Sequence, residues 1–148
     1  MKYFISGHTD LSDVEFETEY VPQIDNALKD SASIFVVGDA FGADSKANEY
    51  LSRTGIEKNR VIVHHLGEKP LNGNPGGFCT IGGYKNHESK DSAMTDASDI
   101  DILYIRSIDE QRKIYGSNYR YRISGTEKNK NRRRKCLDQK FFESKWIF

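Results

Sequence analysis

Cysteine is nearly missing from this chain: Cys79 and Cys136 are the only two among 148 residues. Two thiols so placed make neither a disulfide framework nor a repeated metal-ligand spacing, so a reducing cytoplasm is the expected compartment. Long apolar runs are missing as well. None exceeds the four residues of Ile34 to Val37, far too short to cross a bilayer. The opening Met-Lys-Tyr-Phe-Ile-Ser-Gly-His carries no apolar stretch of a secretory signal. Nor is there an excess of charge: 22 Lys and Arg face 22 Asp and Glu, for a net charge of zero. That balance argues against a surface built throughout for nucleic acid or anionic membrane.

What is present is the composition of one soluble globular domain. Apolar residues are only 36% and charged residues 30%, with a mean hydropathy of −0.71. Yet 8 Tyr, 8 Phe and 1 Trp supply bulky apolar surface, and 148 residues is an ordinary domain length. The zero net charge hides an asymmetry. Residues 111–148 hold 12 Lys and Arg against 3 Asp and Glu, a net of +9, and residues 1–110 hold 10 against 19, a net of −9. A basic tail follows an acidic body.

Periodicity predicts strands at 2–6, 33–37, 60–64 and 100–105. Helices are predicted at 13–30, 43–52, 90–97 and 127–139, the first kinked or broken by Pro22. Residues 67–83 read as a long Gly/Asn-rich functional loop. Residues 116–125 read as a loop or hairpin, and 141–148 as an edge strand. Strands alternating with helices imply an α/β fold, a Rossmann-like three-layer α/β/α domain with a mainly parallel sheet spanning 1–148. In such sheets ligands sit at the carboxyl ends of the strands, here just after Ser6, Val37, His64 and Ile105.

At those ends stand four short motifs. Gly7-His8-Thr9-Asp10 follows the first strand, where His8 and Thr9 can meet an anion or simply form a turn before a helix capped by Ser12 or Asp13. Gly38-Asp39-Ala40-Phe41-Gly42-Ala43-Asp44 follows the second, two glycines four apart before a helix start, a way of bringing amides to a phosphate. Asp44 reads as a helix cap about as readily as a ribose contact or a residue that holds the turn. Near the fourth strand lie Lys90-Asp91-Ser92-Ala93-Met94 and Ser98-Asp99, and Ser124-Gly125-Thr126 opens the basic helix as a further phosphate cradle. His64-His65 invites a metal, but neighbours on a strand point to opposite faces, and partners such as His87 or Cys79 have no diagnostic spacing. No metal and no cofactor are expected.

The order of these four motifs resembles that of the SLOG superfamily, and most closely its YspA-like branch, related to the DprA-like and LOG (lysine-decarboxylase-like) proteins. The resemblance spans about residues 2–131 and rests mainly on the GDAFGAD turn. It departs where Gly38-Asp39 replaces Gly-Gly and where Lys90-Asp91 replaces Arg-Asn. Pro75-Gly76-Gly77-Phe78-Cys79-Thr80 is close to the PGGxGT of LOG phosphoribohydrolases but precedes the Lys90 segment instead of following it, and is read as unrelated.

The resemblance implies a nucleotide or nucleotide-derived ligand at Gly7, His8, Thr9, Gly38, Asp39, Gly42, Ala43, Asp44, Lys90, Asp91, Ser124, Gly125 and Thr126. Hydrolysis of an N-glycosidic bond would need carboxylates, with Asp44, Glu88 and Asp91 the candidates. A non-catalytic sensor or sequestering protein for a nucleotide signal is the alternative. A third reading is nucleic-acid binding through Lys128, Lys130, Arg132, Arg133, Arg134 and Lys135, with Tyr119 and Tyr121 upstream to stack bases; a solvated helix face is its plainer counterpart. The same basic run, facing acidic Glu15, Glu17 and Glu19, also fits a homo-oligomer interface.

Overall fold

The computed structural model describes residues 1–145. Five short strands, β1 (Lys2–Ile5), β2 (Ile34–Val37), β3 (Val61–His64), β4 (Cys79–Ile81) and β5 (Ile100–Ile102), form one sheet in the order β4-β3-β2-β1-β5. Every pairing is parallel. The helices are α1 (Asp13–Glu15), α2 (Val21–Leu28), α3 (Ala43–Arg53), α4 (His87–Asp96), α5 (Ile108–Tyr115) and α6 (Gly125–Lys145).

Strand register decides which side chains share a face. Ile5, Val37, Val63 and Ile102 lie on one side, where α2 and α3 add Ile24, Ala27, Ala47 and Leu51 to make the large core. Phe4 and Val36 lie on the other and share only Met94 of α4 in a small second cluster. Beside that cluster a polar anchor completes the layer. Arg133 of α6 reaches Asp101 on β5 at 3.1 Å and donates to the carbonyls of Thr95 and Ser98 at 3.1 and 2.8 Å. Helices on both faces of a parallel sheet give the Rossmann-like three-layer fold that the element order predicts.

Several boundaries differ from expectation. The predicted helix at 13–30 is broken by a π-helical segment, Phe16–Tyr20, after which α2 starts at Val21 with Pro22 in its first turn. Proline has no N–H to return to the preceding turn, so the wider segment absorbs the break where that donor is not needed. The edge strand read at 141–148 is corrected over its described part. Residues 141–145 continue α6, because no glycine or proline interrupts the chain after Gly125 and the sequence supplies helix formers; 146–148 lie outside the described residues. The long loop at 67–83 contains β4, three exposed residues with no pattern that marks a strand. Helix α5 was not predicted, although Ser107 and Glu110 form a full capping box at its start. That Ser-x-x-Glu was the available signal. Among the described residues no helix is long and apolar enough to cross a membrane.

Candidate functional site

The chain runs from β1 through β4 toward one edge of the sheet, then β5 returns to the other side of β1. Such a reversal leaves a crevice beyond the strand ends. Tyr20, fully buried, ties two strand ends together there: its hydroxyl donates to the Ser6 carbonyl at 2.7 Å and accepts the Tyr104 amide at 3.1 Å. At the strand ends opens a cavity of about 310 Å³. Of the sequence-predicted residues, Gly7, His8, Thr9, Asp44, Lys90, Asp91, Ser124, Gly125 and Thr126 line it. Segments more than a hundred residues apart in sequence therefore converge on one hollow.

The remaining predicted residues do not line this hollow. Gly42 adopts φ +74°, and a Cβ there would fall within 2.3–2.5 Å of backbone atoms of His8 and Thr9. The Ala43 amide donates to the His8 carbonyl at 3.1 Å, and the Ala43 side chain is buried in the core. Ala40 donates its amide to Asp44 Oδ2 at 3.1 Å, and a Cβ on Gly38 would sit 2.5 Å from that same oxygen. The GDAFGAD turn is thus a clasp that ties the second loop to the first, its first helical amide and that of Ala40 already satisfied within the chain. Asp39 is buried, paired to Lys90 Nζ at 3.3 Å, and it also accepts the Leu71 amide at 2.7 Å. It tethers the Gly/Asn-rich loop. Glu88 projects into solvent and pairs with Arg132 at 4.0 Å.

Electrostatics sharpen the picture. Burial pushes the Asp44 carboxyl up to about 7, reinforced by the charges of Asp91 and Asp39 and opposed by the Ala40 amide and Lys90. Burial also raises Asp91. Two carboxyls facing one cavity are therefore both drawn toward their neutral forms. Burial and Arg106 lower His8, keeping its ring neutral, with Nε2 accepting the Arg106 amide at 3.4 Å.

Sequence reasoning missed Arg122, Tyr115, His87 and Asn129, which also line the cavity. Arg122 is exposed, and among the described residues no hydrogen bond or ion pair engages its guanidinium. At the start of α6, Ser124 caps the helix, its hydroxyl accepting the Glu127 amide at 3.1 Å. The amides of Gly125 and Thr126 have no acceptor among the described residues. Also missed was Arg106, almost fully buried, which clamps Glu15 at 2.8 Å and Asp10 at 2.7 Å and drives the Glu15 carboxyl down to about 2. None of these arginines stands in a motif, so residue type alone gave no signal.

The basic helix divides by face. Arg133 is internal, and this corrects its reading as a nucleic-acid contact. Arg132 is half-buried and bonded to Asn129 at 2.5 Å, while Lys128, Lys130, Arg134 and Lys135 are exposed. Tyr119 has the Arg112 guanidinium 5.5 Å above its ring, and Tyr121 is exposed. Glu15, engaged by Arg106, is not free to face a basic partner. His64 and His65 are both buried, one against the Tyr84 hydroxyl at 2.8 Å and the other against the Gly67 carbonyl at 2.7 Å. No group of three or more His, Cys, Asp or Glu that could hold a metal occurs among the described residues.

Topology and crevice define the class: a Rossmann-like α/β protein with a polar cleft at its switch point. No protein-family model, curated protein or solved structure matches the chain.

Proposed function

We propose that this protein binds a nucleoside monophosphate or a closely related nucleotide in the switch-point cleft, its phosphate against Arg122 and the first turn of α6. One observation carries the reading: a guanidinium and two helix-start amides that have no partner among the described residues border the same cavity. Helix-start amides and a free arginine favour phosphate through geometry and charge together. At about 310 Å³ the cavity lies near the lower end of ligand pockets, roughly 300–1,000 Å³, which suits one nucleotide. The SLOG-like order of the motifs supports the same ligand class.

Hydrolysis of the N-glycosidic bond is the second reading, and the Asp44–Asp91 pair favours it. An acid held neutral up to about pH 7 can protonate the departing base. A second carboxylate stabilises the oxocarbenium-like sugar or takes the proton of the attacking water. Titration calorimetry with AMP tests the first reading: binding is expected, and Arg122→Ala should weaken it about tenfold without changing the melting temperature. No binding of AMP or any other nucleoside monophosphate overturns it. Chromatography of the mixture tests the second, since free base shows turnover and intact nucleotide shows a sensor. Turnover should fall as pH rises past about 7, where Asp44 loses its proton.

A further inference from the structure

The two layers that cover the sheet carry opposite charge. Residues 13–30, which include α1 and α2, hold 6 Asp and Glu against one Lys, a net of −5. Helix α6 holds 8 Lys and Arg against 3 Asp and Glu, a net of +5. Phe16, Tyr20 and Ile24 set the acidic segment on the Ile5–Val37 face of the sheet, whereas Arg133 reaches Asp101 on the Phe4–Val36 face. Within one chain the sheet therefore keeps the two charges apart.

The basic helix also outruns the body it covers. Thr126, Asn129 and Arg133 are buried, but every residue from Leu137 to Lys145 is exposed. Lys130, Arg134, Leu137 and Phe141 follow one another at i, i+4, i+7 and i+11, so they share one helix face. Leu137 is 54% exposed and Phe141 63%, the Lys145 ammonium 4.7 Å from its ring centre leaving most of the ring open. Among the described residues Lys130 and Arg134 have no ion pair and no side-chain hydrogen bond.

The acidic layer offers a receptor of matching form. A groove of about 670 Å³ lies between the Phe16–Tyr20 segment and α3, with Phe16, Val21 and Tyr50 as its apolar lining. The Phe16 ring meets the Tyr50 ring edge-on at 6.0 Å. On its rim Lys46 holds Asp13 at 2.5 Å and Arg53 holds Glu49 at 2.6 Å, so these four charges cancel in pairs. Glu17 has no partner among the described residues, and Asp25, whose carboxylate accepts the Tyr50 hydroxyl, has no cation there. An amphipathic helix laid in such a groove, with opposite charge at the rim, is a recurrent mode of docking.

We propose that the free end of α6 docks in this groove on a second copy of the chain, Leu137 and Phe141 against Phe16, Val21 and Tyr50, with Lys130 and Arg134 toward Glu17 and Asp25. Helix and groove face opposite ways, so two copies cannot exchange both contacts and the association runs head to tail. One helix in one groove is a small contact, which suits weak and reversible assembly. No residue of the groove lines the switch-point cleft, so self-association and nucleotide binding are separate properties.

Sedimentation equilibrium of the full chain at low ionic strength reads the outcome. The mean mass is expected to climb from that of one 16.9 kDa chain at about 10 μM to beyond two chains at about 1 mM. Raising NaCl to about 0.5 M should weaken the association several-fold. Lys130→Glu with Arg134→Glu, and separately Glu17→Lys with Asp25→Lys, change exposed positions only; each variant should be monomeric alone, and the two should reassemble when mixed in equal amounts. Leu137→Asp, also at an exposed position, blocks the apolar half of the contact and should leave a monomer. A natural chain that stays monomeric throughout overturns the proposal, including one that binds single-stranded RNA through α6 instead. A mass that stops at two chains overturns it as well. So does self-association that survives in either charge-reversed variant or in Leu137→Asp, or a mixture that fails to reassemble.

Discussion

Two helices begin at the carboxyl edge of the sheet, and they set different groups around their first turns. At the start of α3 the Ala43 amide goes to the His8 carbonyl, and just ahead of it Asp44 takes the Ala40 amide. At the start of α6, Ser124 caps the Glu127 amide, and Gly125 and Thr126 keep theirs unused beside Arg122. The glycine-rich turn ties the second loop to the first and carries the buried Asp44 carboxyl, and among the described residues its Asp44 and Ser45 amides also have no acceptor; the plain Ser-Gly-Thr has Arg122 beside its two. A helix start attracts anions only through amides that the fold leaves unbonded.

The sharpest way to break this comparison is at the two glycines. Gly42→Val forces a β-branched side chain to φ +74° against the backbone of His8 and Thr9. It should cost roughly 3–5 kcal/mol in chemical denaturation, opening the clasp and disturbing the fold itself. Nothing lies within 4 Å of a Cβ on Gly125, so Gly125→Ala should change stability by less than about 0.5 kcal/mol. Equal costs would mean that the two turns do not differ as described.

A similar contrast runs along α6. Arg133→Ala leaves Asp101 and the carbonyls of Thr95 and Ser98 without their donor and should cost about 3 kcal/mol. Arg134→Ala, one residue on and exposed, should stay within about 0.5 kcal/mol by the same denaturation measurement.

A smaller effect reads out Asp44. In the fold its carboxyl stays protonated up to about pH 7, against an ordinary 3.8. Its contribution to stability is therefore complete below the ordinary value and is lost as pH rises through about 7. Between pH 5 and 8 the native protein should lose about 2 kcal/mol relative to Asp44→Asn, which cannot ionise. Parallel pH profiles for the two proteins would show that the carboxyl titrates normally.

Much of the fold was legible because parallel strands buried on both faces leave apolar runs such as Ile34 to Val37, and because the chain alternates strand and helix. The convergence of Gly7, Asp44, Lys90 and Thr126 on one hollow was legible for a similar reason: α/β topology brings strand ends together whatever their sequence separation. What each residue does there was not. Gly42, Gly38 and Asp39 look functional by type, yet they serve packing and tethering, which only neighbours from other segments reveal. Arg106 and Arg122 are both arginines outside any motif. One is buried among three partners and the other is unpaired, and nothing local to either separates them.

The comparison of the two helix starts meets its most direct test in a crystal structure of the protein with AMP. The phosphate is expected within hydrogen-bond distance of the Gly125 and Thr126 amides and the Arg122 guanidinium. A phosphate resting instead on the Gly38–Gly42 turn, with the Ala40 and Ala43 amides turned toward it, would contradict the account.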